Sequence, residues 1–286
     1  MKKNIKIKIV DSGLWFDTDI AFAQVPYWFN HTTKNLKLSL IRHFESERKS
    51  LPLIIWICGG AWYSMDINAH LPNLVEIAKK GYVIATIEYR NSNEAKFPSQ
   101  IEDVKAAIRF LRANAENYKI DHRNIGIMGE SAGGYLASFV GTTNEKPEFD
   151  KGLYLNYSSK VQAVCSWYAP IDLNVKKHLG QTHEKLKKIT PEELFLSDTT
   201  SINSSLFVKA NPITYLSKKT PPFLLFHGLK DTTVPIYQSE IFYDALKSRS
   251  IPADLYIIED AGHASVEFFQ PQIKSLIVDF FDRYLK

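Results

Sequence analysis

An alternation of apolar runs with amphipathic stretches limits the fold of this chain more than any other feature. Residues 51–58 and 82–87 are nearly continuous apolar runs, which are typical of strands that helices cover on both faces. In residues 97–112, apolar side chains recur at steps of three and four positions, as they do along one face of a helix. This repeated pattern predicts an α/β fold, in which a mostly parallel central sheet carries helices on both faces.

Two segments near the N-terminus follow a different pattern. Residues 5–10 and 36–41 alternate apolar and polar side chains, as half-buried antiparallel edge strands do. The chain has no repeat and no low-complexity linker, so we expect a single domain over residues 1–286. We also expect a loop at 144–158 and a small cap or lid at 172–210, a polar stretch with two short helix-like pieces. The remaining strands are predicted at 125–128, 161–167, 223–226 and 254–258, and the remaining helices at 68–80, 132–140, 237–247 and 267–286.

The charges and the apolar runs exclude several classes of protein. The 35 Lys and Arg residues against 31 Asp and Glu give a net charge of +4, and they are scattered, whereas nucleic-acid binders concentrate basic charge on one face. No apolar run reaches the roughly 18 residues that span a bilayer, and no secretory signal core follows Met1. Cys58 and Cys165 lack the spacing of a metal site or a disulfide framework. We expect a cytoplasmic protein with reduced thiols, no metal and no cofactor; homo-oligomerisation stays open.

The sharpest motif is Gly129-Glu-Ser-Ala-Gly133, which follows one predicted strand and precedes a predicted helix. In a nucleophile elbow, a serine sits on a strained strand-to-helix turn that raises its hydroxyl above the sheet. Glycines flank the serine because a side chain at either position would collide with the other element. The motif predicts that Ser131 is a catalytic nucleophile; the alternative is a tight turn with a passive serine.

The acid of a catalytic triad has three candidates after Ser131. In this arrangement the acid and then the histidine follow the serine along the chain. Asp231 lies just past the predicted strand 223–226, in a turn that contains a glycine and a proline, and it precedes the last predicted strand. Asp172 also follows a strand and is the reserve candidate, whereas Asp260 lies only three residues from the candidate histidine. We predict that Asp231 is the acid.

Four of the eight histidines follow the serine. His178 and His183 lie in the polar stretch and are interpreted as solvated, and His227, at a strand end, is interpreted as structural. His263 lies on a glycine-containing loop after the final predicted strand. We predict that His263 is the base, which accepts the serine proton and passes it to the leaving alkoxide while the aspartate holds the required tautomer.

A glycine turn directly after the first buried strand supplies the fourth catalytic feature. It reads Cys58-Gly-Gly-Ala-Trp62. A tetrahedral intermediate carries a negative oxygen, which preorganised backbone N–H groups stabilise, and such donors come from the residue after the serine and from a glycine-rich loop. Gly60, Ala61 and Ala132 are therefore the predicted oxyanion-hole donors. Trp62 and Glu130 are assigned to the substrate pocket.

Taken together, these motifs resemble the bacterial esterases related to hormone-sensitive lipase, and among them the small carboxylesterases of the BD-FAE type. That group includes relatives of feruloyl and acetyl-xylan esterases. The resemblance runs from about residue 36 to the C-terminus and implies an α/β-hydrolase fold and a metal-free Ser-Asp-His esterase. It rests on Gly129-Glu-Ser-Ala-Gly-Gly134, Phe97-Pro-Ser-Gln-Ile-Glu-Asp-Val-Lys-Ala-Ala107, Asn211-Pro-Ile-Thr-Tyr215, Pro222-Phe-Leu-Leu-Phe-His-Gly228, Asp231-Thr-Thr-Val-Pro235 and Gly262-His263.

The chain departs from this family at two positions of the glycine turn. The family's loop usually reads His-Gly-Gly-Gly-Trp, whereas here Cys58 replaces the histidine and Ala61 replaces the third glycine. In the family that histidine generally supports the loop, so we expect catalysis to survive its loss. A positive φ at Ala61 would be strained, and one misplaced donor would lower turnover by roughly 10²–10³.

The leading hypothesis is a serine carboxylesterase that hydrolyses short-chain acyl esters, including acetylated or feruloylated sugars. A second hypothesis is a peptidase related to prolyl oligopeptidases, although the chain has no room for their propeller domain. A third is a non-catalytic receptor built on the same fold, although such receptors tend to lose a triad member. Cys58 is the weakest nucleophile candidate because no histidine lies near it in the sequence.

Overall fold

Eight strands form one sheet in the part of the chain that the computed structural model describes, residues 1–10, 13–44, 49–174, 189–197 and 205–286. Their order in the sheet is β1-β2-β4-β3-β5-β6-β7-β8. β2 pairs antiparallel with β1 and β4, and every other neighbouring pair is parallel, which confirms the predicted mostly parallel sheet with antiparallel N-terminal strands. The strands are β1 Leu14–Tyr27, β2 Thr32–His43, β3 Leu51–Ile57, β4 Val83–Ile87, β5 Ile120–Glu130, β6 Ala163–Trp167, β7 Phe223–Gly228 and β8 Ala253–Ile258.

Helices cover both faces of the sheet, as predicted. Alternate residues of β3 face opposite sides, because side chains of a strand alternate. Ile55 and Ile57 belong to the core cluster that contains residues of α2, α3 and α6, whereas Ile54 and Trp56 belong to the one that contains residues of α1 and α7. None of the described helices is long and apolar enough to cross a membrane. The described α-helices are α1 Leu71–Ala78, α2 Ser99–Ala113, α3 Ser131–Thr142, α4 Pro191–Leu196, α5 Ser205–Lys209, α6 Tyr237–Ser248 and α7 Pro271–Leu285.

The prediction of a strand at residues 5–10 is wrong. These residues are exposed and belong to no strand. The strand that pairs with β2 is instead β1, whose register runs from Leu14 opposite His43 to Tyr27 opposite Thr32. β1 therefore covers the whole free edge of β2 and leaves residues 5–10 no strand to join. Residues 36–41 do lie in a strand, β2, as predicted. Because β1 pairs with one edge of β2 and β4 with the other, β2 lies inside the sheet and not at its edge.

Residues 144–158 form the predicted loop, apart from a short 3-10 turn at Pro147–Phe149. Residues 172–210 are described only in part, because 175–188 and 198–204, with His178 and His183, lie outside the described residues. Two short helices, α4 and α5, occur in the described parts. The single domain and the cap stay predictions.

Candidate active site

The candidate nucleophile stands on a strained turn between β5 and α3. Ser131 is the first residue of α3 and has a φ of 51°, a region that residues other than glycine rarely adopt. A Cβ at Gly129 would lie 2.5 Å from the carbonyl oxygen of Gly133, and one at Gly133 would lie 2.1 Å from that of Ile57. Both contacts are impossibly short, so the two positions require glycine. The turn has the geometry expected of a nucleophile elbow.

Three side chains from distant parts of the chain converge at this turn. His263 Nε2 lies 3.0 Å from Ser131 Oγ, and His263 Nδ1 lies 2.7 Å from Asp231 Oδ2. The side chain of Asp231 is fully buried, whereas that of His263 is 18% exposed. The imidazole thus contacts the hydroxyl with one nitrogen and the carboxylate with the other, which is the arrangement that transfers a serine proton.

The Asp231 carboxylate is held as an anion. Its Oδ1 accepts the N–H groups of Thr233 and Val234, each at 2.8 Å. Burial alone would raise the pKa of Asp231, but hydrogen bonds from His227, His263 and the Val234 N–H outweigh it and lower the pKa well below the usual carboxyl range. Asp231 is therefore able to stabilise an imidazolium on His263 without taking its proton.

The other candidates predicted from the sequence lie in structural contacts. His227 is fully buried, with Nε2 2.8 Å from the carbonyl oxygen of Val234 and 3.5 Å from Asp231 Oδ2, which agrees with its interpretation as structural. Asp260 lies at the surface, where it pairs with Lys230 at 2.6 Å. Asp172 lies beside Gln238, whose Oε1 accepts its N–H at 2.7 Å. The structure brings neither of these two aspartates to the imidazole.

The glycine turn after β3 lies directly against the nucleophile. A Cβ at Gly59 would be 3.1 Å from the Cβ of Ser131, and one at Gly60 would be 1.8 Å from the carbonyl oxygen of Ser64. Gly60 has a φ of 117° and Ala61 a φ of 53°, so the positive φ considered for Ala61 is present. Ala132, the next residue of α3, follows the serine. Gly59 and Ala132 thus adjoin Ser131, and the role of Gly60, Ala61 and Ala132 as oxyanion donors stays a prediction.

Glu130 does not line an open pocket, so that prediction is wrong. The residue is 6% exposed, because adjacent residues at a strand end point to opposite sides and the turn that raises Ser131 directs Glu130 inward. Its Oε1 lies 2.9 Å from His70 Nε2, and its Oε2 accepts the Tyr168 hydroxyl at 2.5 Å. Burial would raise the pKa of Glu130, but the hydrogen bonds from His70 and Tyr168 lower it. Glu130 is the centre of a buried polar cluster.

The assignment of Trp62 to the pocket is also wrong. Trp62 is 1% exposed; its ring stacks on Phe195 at 4.5 Å and contacts the Tyr135 ring edge-on at 5.5 Å. Its φ of 58° continues the left-handed turn of Ala61, and the ring lies among core aromatics. Trp62 therefore supports the glycine turn from inside the molecule.

Two residues near the site were not predicted from the sequence. Tyr168 directly follows β6, and its buried ring packs edge-on against His263 with the ring centres 4.7 Å apart. His70 precedes α1 and contacts Glu130. The position of Tyr168 after a buried strand was the only signal for it. His70 has none, because its partner is 60 residues away.

Comparisons with known proteins place the chain among esterases. It is 30% identical over 230 residues to esterase LipC of Mycobacterium tuberculosis (strain ATCC 25618 / H37Rv), covering 79% of this chain and 56% of LipC. Esterase LipQ of the same strain is 31% identical over 221 residues, covering 76% of this chain and 48% of LipQ. The chain thus spans about half the length of these curated relatives.

Solved structures share the fold. A bifunctional GH43-CE protein of Bacteroides eggerthii superposes with a TM-score of 0.81 at 34% identity, covering 96% of this chain and 36% of that one. A truncated carbohydrate esterase from gut microbiota gives a TM-score of 0.80 at 28% identity, covering 97% and 99% of the two chains. The architecture is that of the α/β-hydrolases. The profile of the BD-FAE family matches residues 41–246, and the chain belongs to that family.

Proposed function

We propose that this protein is a serine carboxylesterase that hydrolyses short-chain acyl esters through an acyl-enzyme, with Ser131, His263 and Asp231 as its catalytic triad. One observation carries the proposal: a single imidazole lies 3.0 Å from the serine hydroxyl and 2.7 Å from a buried carboxylate. A serine hydroxyl is a weak nucleophile until a base removes its proton, and this geometry supplies that base. The names of the relatives, which are esterases, support the same reaction.

In the first half of the reaction, Ser131 Oγ attacks the carbonyl carbon of the ester while His263 Nε2 takes the hydroxyl proton. The carbonyl oxygen becomes an anion, for which the N–H groups of Gly60, Ala61 and Ala132 are the proposed donors. The bond between the carbonyl carbon and the alcohol oxygen then breaks. His263 gives its proton to that oxygen, the alcohol leaves, and the acyl group stays on the serine.

In the second half, water takes the place of the alcohol. His263 removes a proton from the water, whose oxygen attacks the acyl carbon, and the bond to Ser131 Oγ breaks as the imidazole returns the proton to the serine. Asp231 stays ionised throughout and stabilises each imidazolium, because hydrogen bonds from His227, His263 and the Val234 N–H hold its pKa well below the usual carboxyl range. No step requires a metal or another cofactor.

Esters of sugars are the proposed natural substrate class. A truncated carbohydrate esterase matches this chain over 99% of the truncated chain at 28% identity, which supports this class. We propose acetylated or feruloylated sugars, both small molecules, and a cytoplasmic location in which Cys58 and Cys165 stay reduced; both are free and buried in the structure. Fractionation of the cells that make the protein tests the location.

Substitution of the serine tests the mechanism. Ser131→Ala should lower turnover of p-nitrophenyl acetate by roughly 10⁶ and abolish labelling by a fluorophosphonate. Asp231→Asn should lower turnover by roughly 10⁴, the loss measured for the equivalent change in a chymotrypsin-type protease, whereas Asp172→Asn should not. The matched control is Ser248→Ala, which removes an exposed hydroxyl. A Ser131→Ala protein that retains near-wild-type turnover contradicts the triad.

A substrate panel tests the specificity. Acetylated xylo-oligosaccharides, feruloylated arabinose and p-nitrophenyl esters of increasing acyl length should separate sugar esters from general esters, with the highest kcat/KM on a sugar ester. A proline-containing peptide amide covers the peptidase alternative. Labelling by fluorophosphonate without turnover of any substrate would favour a non-catalytic binding role instead.

A further inference from the structure

A second cluster of reactive side chains lies behind the nucleophile, and the hydrolytic steps do not use it. It consists of Cys58, His70 and Glu130, and we call it the Cys-His-Glu cluster. Its three ligand atoms, a thiol sulfur, an imidazole nitrogen and a carboxylate oxygen, lie within 4.8 Å of one another. They come from three separate elements, namely the end of β3, the residue before α1 and the end of β5. A Cys sulfur, a His nitrogen and a carboxylate oxygen are each among the ligands that zinc takes in proteins.

The spacing of these atoms is close to what a tetrahedral metal requires. Zinc binds sulfur at about 2.3 Å, nitrogen at about 2.0–2.1 Å and oxygen at about 2.0–2.2 Å, so its ligand atoms lie about 3.3–3.6 Å apart. In the structure, Cys58 Sγ is 3.9 Å from Glu130 Oε1, and His70 Nε2 is 2.9 Å from the same oxygen. Compared with the spacing in a zinc site, the distance from sulfur to oxygen is slightly long and the distance from nitrogen to oxygen is slightly short. Small side-chain rotations would therefore open a space for the ion between the three atoms.

The charges of the cluster match those of a divalent ion. A Cys58 thiolate and the Glu130 carboxylate together neutralise two positive charges, and His70 binds as a neutral ring. This balance matters because Cys58 and Glu130 are 7% and 6% exposed, and an unbalanced charge is expensive to bury. The His70 side chain is 22% exposed, which leaves a route from solvent on its side of the cluster.

Neighbouring residues already hold the ligands in place. The Tyr168 hydroxyl binds Oε2 of Glu130 and leaves Oε1 directed at the cluster, and the Asp66 N–H faces the sulfur of Cys58. The His70 ring stacks on Phe269 at 4.8 Å. Partners of this kind orient metal ligands, and losing them typically lowers metal affinity by roughly 10–100-fold. The Cys-His-Glu cluster is therefore organised before any ion binds.

The geometry points to a binding site for one soft divalent cation of the zinc class at Cys58, His70 and Glu130, separate from the catalytic triad. On binding, the Cys58 thiol releases its proton to solvent. His70 ligates through Nε2 as the neutral tautomer that carries its single hydrogen on Nδ1, and any hydrogen between Nε2 and Glu130 is exchanged through solvent. The thiolate selects zinc, cobalt or cadmium over magnesium and calcium, which prefer oxygen ligands. Water fills the fourth position.

An ion bound at the Cys-His-Glu cluster should change the conformation of the glycine turn. Cys58 directly precedes Gly59, and the Gly59 N–H donates to Glu130, so an ion that draws these two side chains together shifts the turn against Ser131. We expect the bound ion to lower kcat more than it raises KM, because the displaced oxyanion donors act on the transition state rather than on the bound substrate. This consequence rests on the proposed function, whereas the binding itself does not.

Cobalt titration tests the site directly. Protein freed of metal with a chelator is titrated with Co²⁺, whose bond to a thiolate gives a charge-transfer absorption that oxygen and nitrogen ligands do not give. We expect one equivalent of Co²⁺, this absorption, and displacement by Zn²⁺. Cys58→Ala should abolish the absorption, and His70→Gln should weaken binding by at least the roughly 10–100-fold seen for outer partners. Cys165→Ala, which removes the other buried thiol, and His31→Gln, at an exposed histidine, should change neither.

Further measurements distinguish the proposed metal site from the proposed esterase mechanism. Ser131→Ala should lose hydrolysis and bind Co²⁺ like the wild type, so that a failure of one proposal does not mimic a failure of the other. Circular dichroism checks that each variant folds, and His70→Gln decides the matter if Cys58→Ala does not. No absorption in the wild-type protein, an absorption that survives in folded Cys58→Ala, or an unchanged Co²⁺ affinity in folded His70→Gln overturns the metal site.

Discussion

Two residues of the proposed active site, Ser131 and Ala61, have a strained backbone. Ser131 and Ala61 both have a φ near 50°, and a left-handed conformation costs an L-residue about 1–2 kcal/mol. For Ser131 the strain is the means by which the hydroxyl stands clear of the sheet. Ala61 is different, because the same backbone would be formed more easily by the glycine that related sequences usually carry there. The substitution adds strain to the proposed oxyanion hole without adding a functional group.

Ala61→Gly should therefore stabilise the fold. Relief of the left-handed alanine outweighs the greater freedom of glycine in the unfolded chain, and we expect the free energy of unfolding to rise by about 0.5–1 kcal/mol. Urea denaturation measures it. The control, Ala106→Gly, lies inside helix α2 and should lower the same quantity by about 1 kcal/mol. A decrease at both positions would mean that the Ala61 backbone is not strained.

Among the elements, α2 does more than cover the sheet. Its apolar residues Ile101, Val104, Ile108 and Leu111 are fully buried, as their spacing predicted. The same helix carries basic side chains that hold the loop after α3. Arg109 is buried, pairs with Asp150 at 2.5 Å, and donates to the carbonyl oxygens of Leu153 and Lys151. A long irregular loop thus obtains its hydrogen-bond partners from a neighbouring helix.

Arg109→Met should loosen the loop after α3 and destabilise the protein. Methionine keeps much of the buried volume but leaves Asp150 and two carbonyl groups without their donor, and breaking a buried ion pair costs about 3–5 kcal/mol. We expect the free energy of unfolding to fall by about 3 kcal/mol, the lower end of this range, because Lys105 also lies 3.5 Å from Asp150 and stays as its partner. Denaturant unfolding measures the loss, and hydrogen exchange should show faster exchange in residues 150–160. The exposed Arg123→Met removes a pair with Asp121 and should change neither measurement.

How far the sequence predicts an element depends on how regular its side-chain pattern is. β3 was predicted closely because both of its faces are apolar. α2 was predicted closely because one whole stripe along the helix is apolar. β1 was missed, because two register shifts interrupt its pairing with β2 and break the alternation of its side chains. In residues 5–10 apolar and polar side chains alternate regularly, yet these residues form no strand. An alternating pattern is compatible with a strand, but a strand also requires a neighbouring strand with a free edge.

At the scale of the whole molecule, the parallel sheet explains why residues far apart in the sequence could be predicted to meet at the candidate site. Ser131, Asp231 and His263 follow β5, β7 and β8, and the carboxyl ends of parallel strands meet at one edge, where ligands bind. Strand order along the chain therefore predicts which loops meet. The contacts of Glu130 with His70 and Tyr168 could not be predicted in this way, because they depend on side-chain packing beneath the turn, for which no periodic pattern exists.

The same dense interior makes the fold sensitive to alkali. Burial raises the pKa of the Cys58 thiol from 9.0 to about 11, and it raises the pKa values of another thiol and several phenols. A group with a raised pKa contributes its stability fully below its ordinary pKa and loses it as pH rises toward the folded value, because only the unfolded chain can ionise. The groups are Cys58, Cys165, Tyr82, Tyr89, Tyr135 and Tyr168.

We expect the free energy of unfolding to fall steeply between pH 9 and pH 11. Each group that ionises only on unfolding contributes about 1.4 kcal/mol per pH unit once the pH exceeds its ordinary value. Four cationic groups whose pKa is lowered by burial act in the opposite direction but are fewer than the buried thiols and phenols; they are Lys96, Lys105, Arg109 and Arg112. Urea unfolding at pH 7, 9, 10 and 11, with tyrosinate absorbance followed in the folded protein, measures the effect. A flat stability across this range, or tyrosinate formation by the buried phenols before unfolding, would mean that solvent reaches the interior around Glu130 and Tyr168.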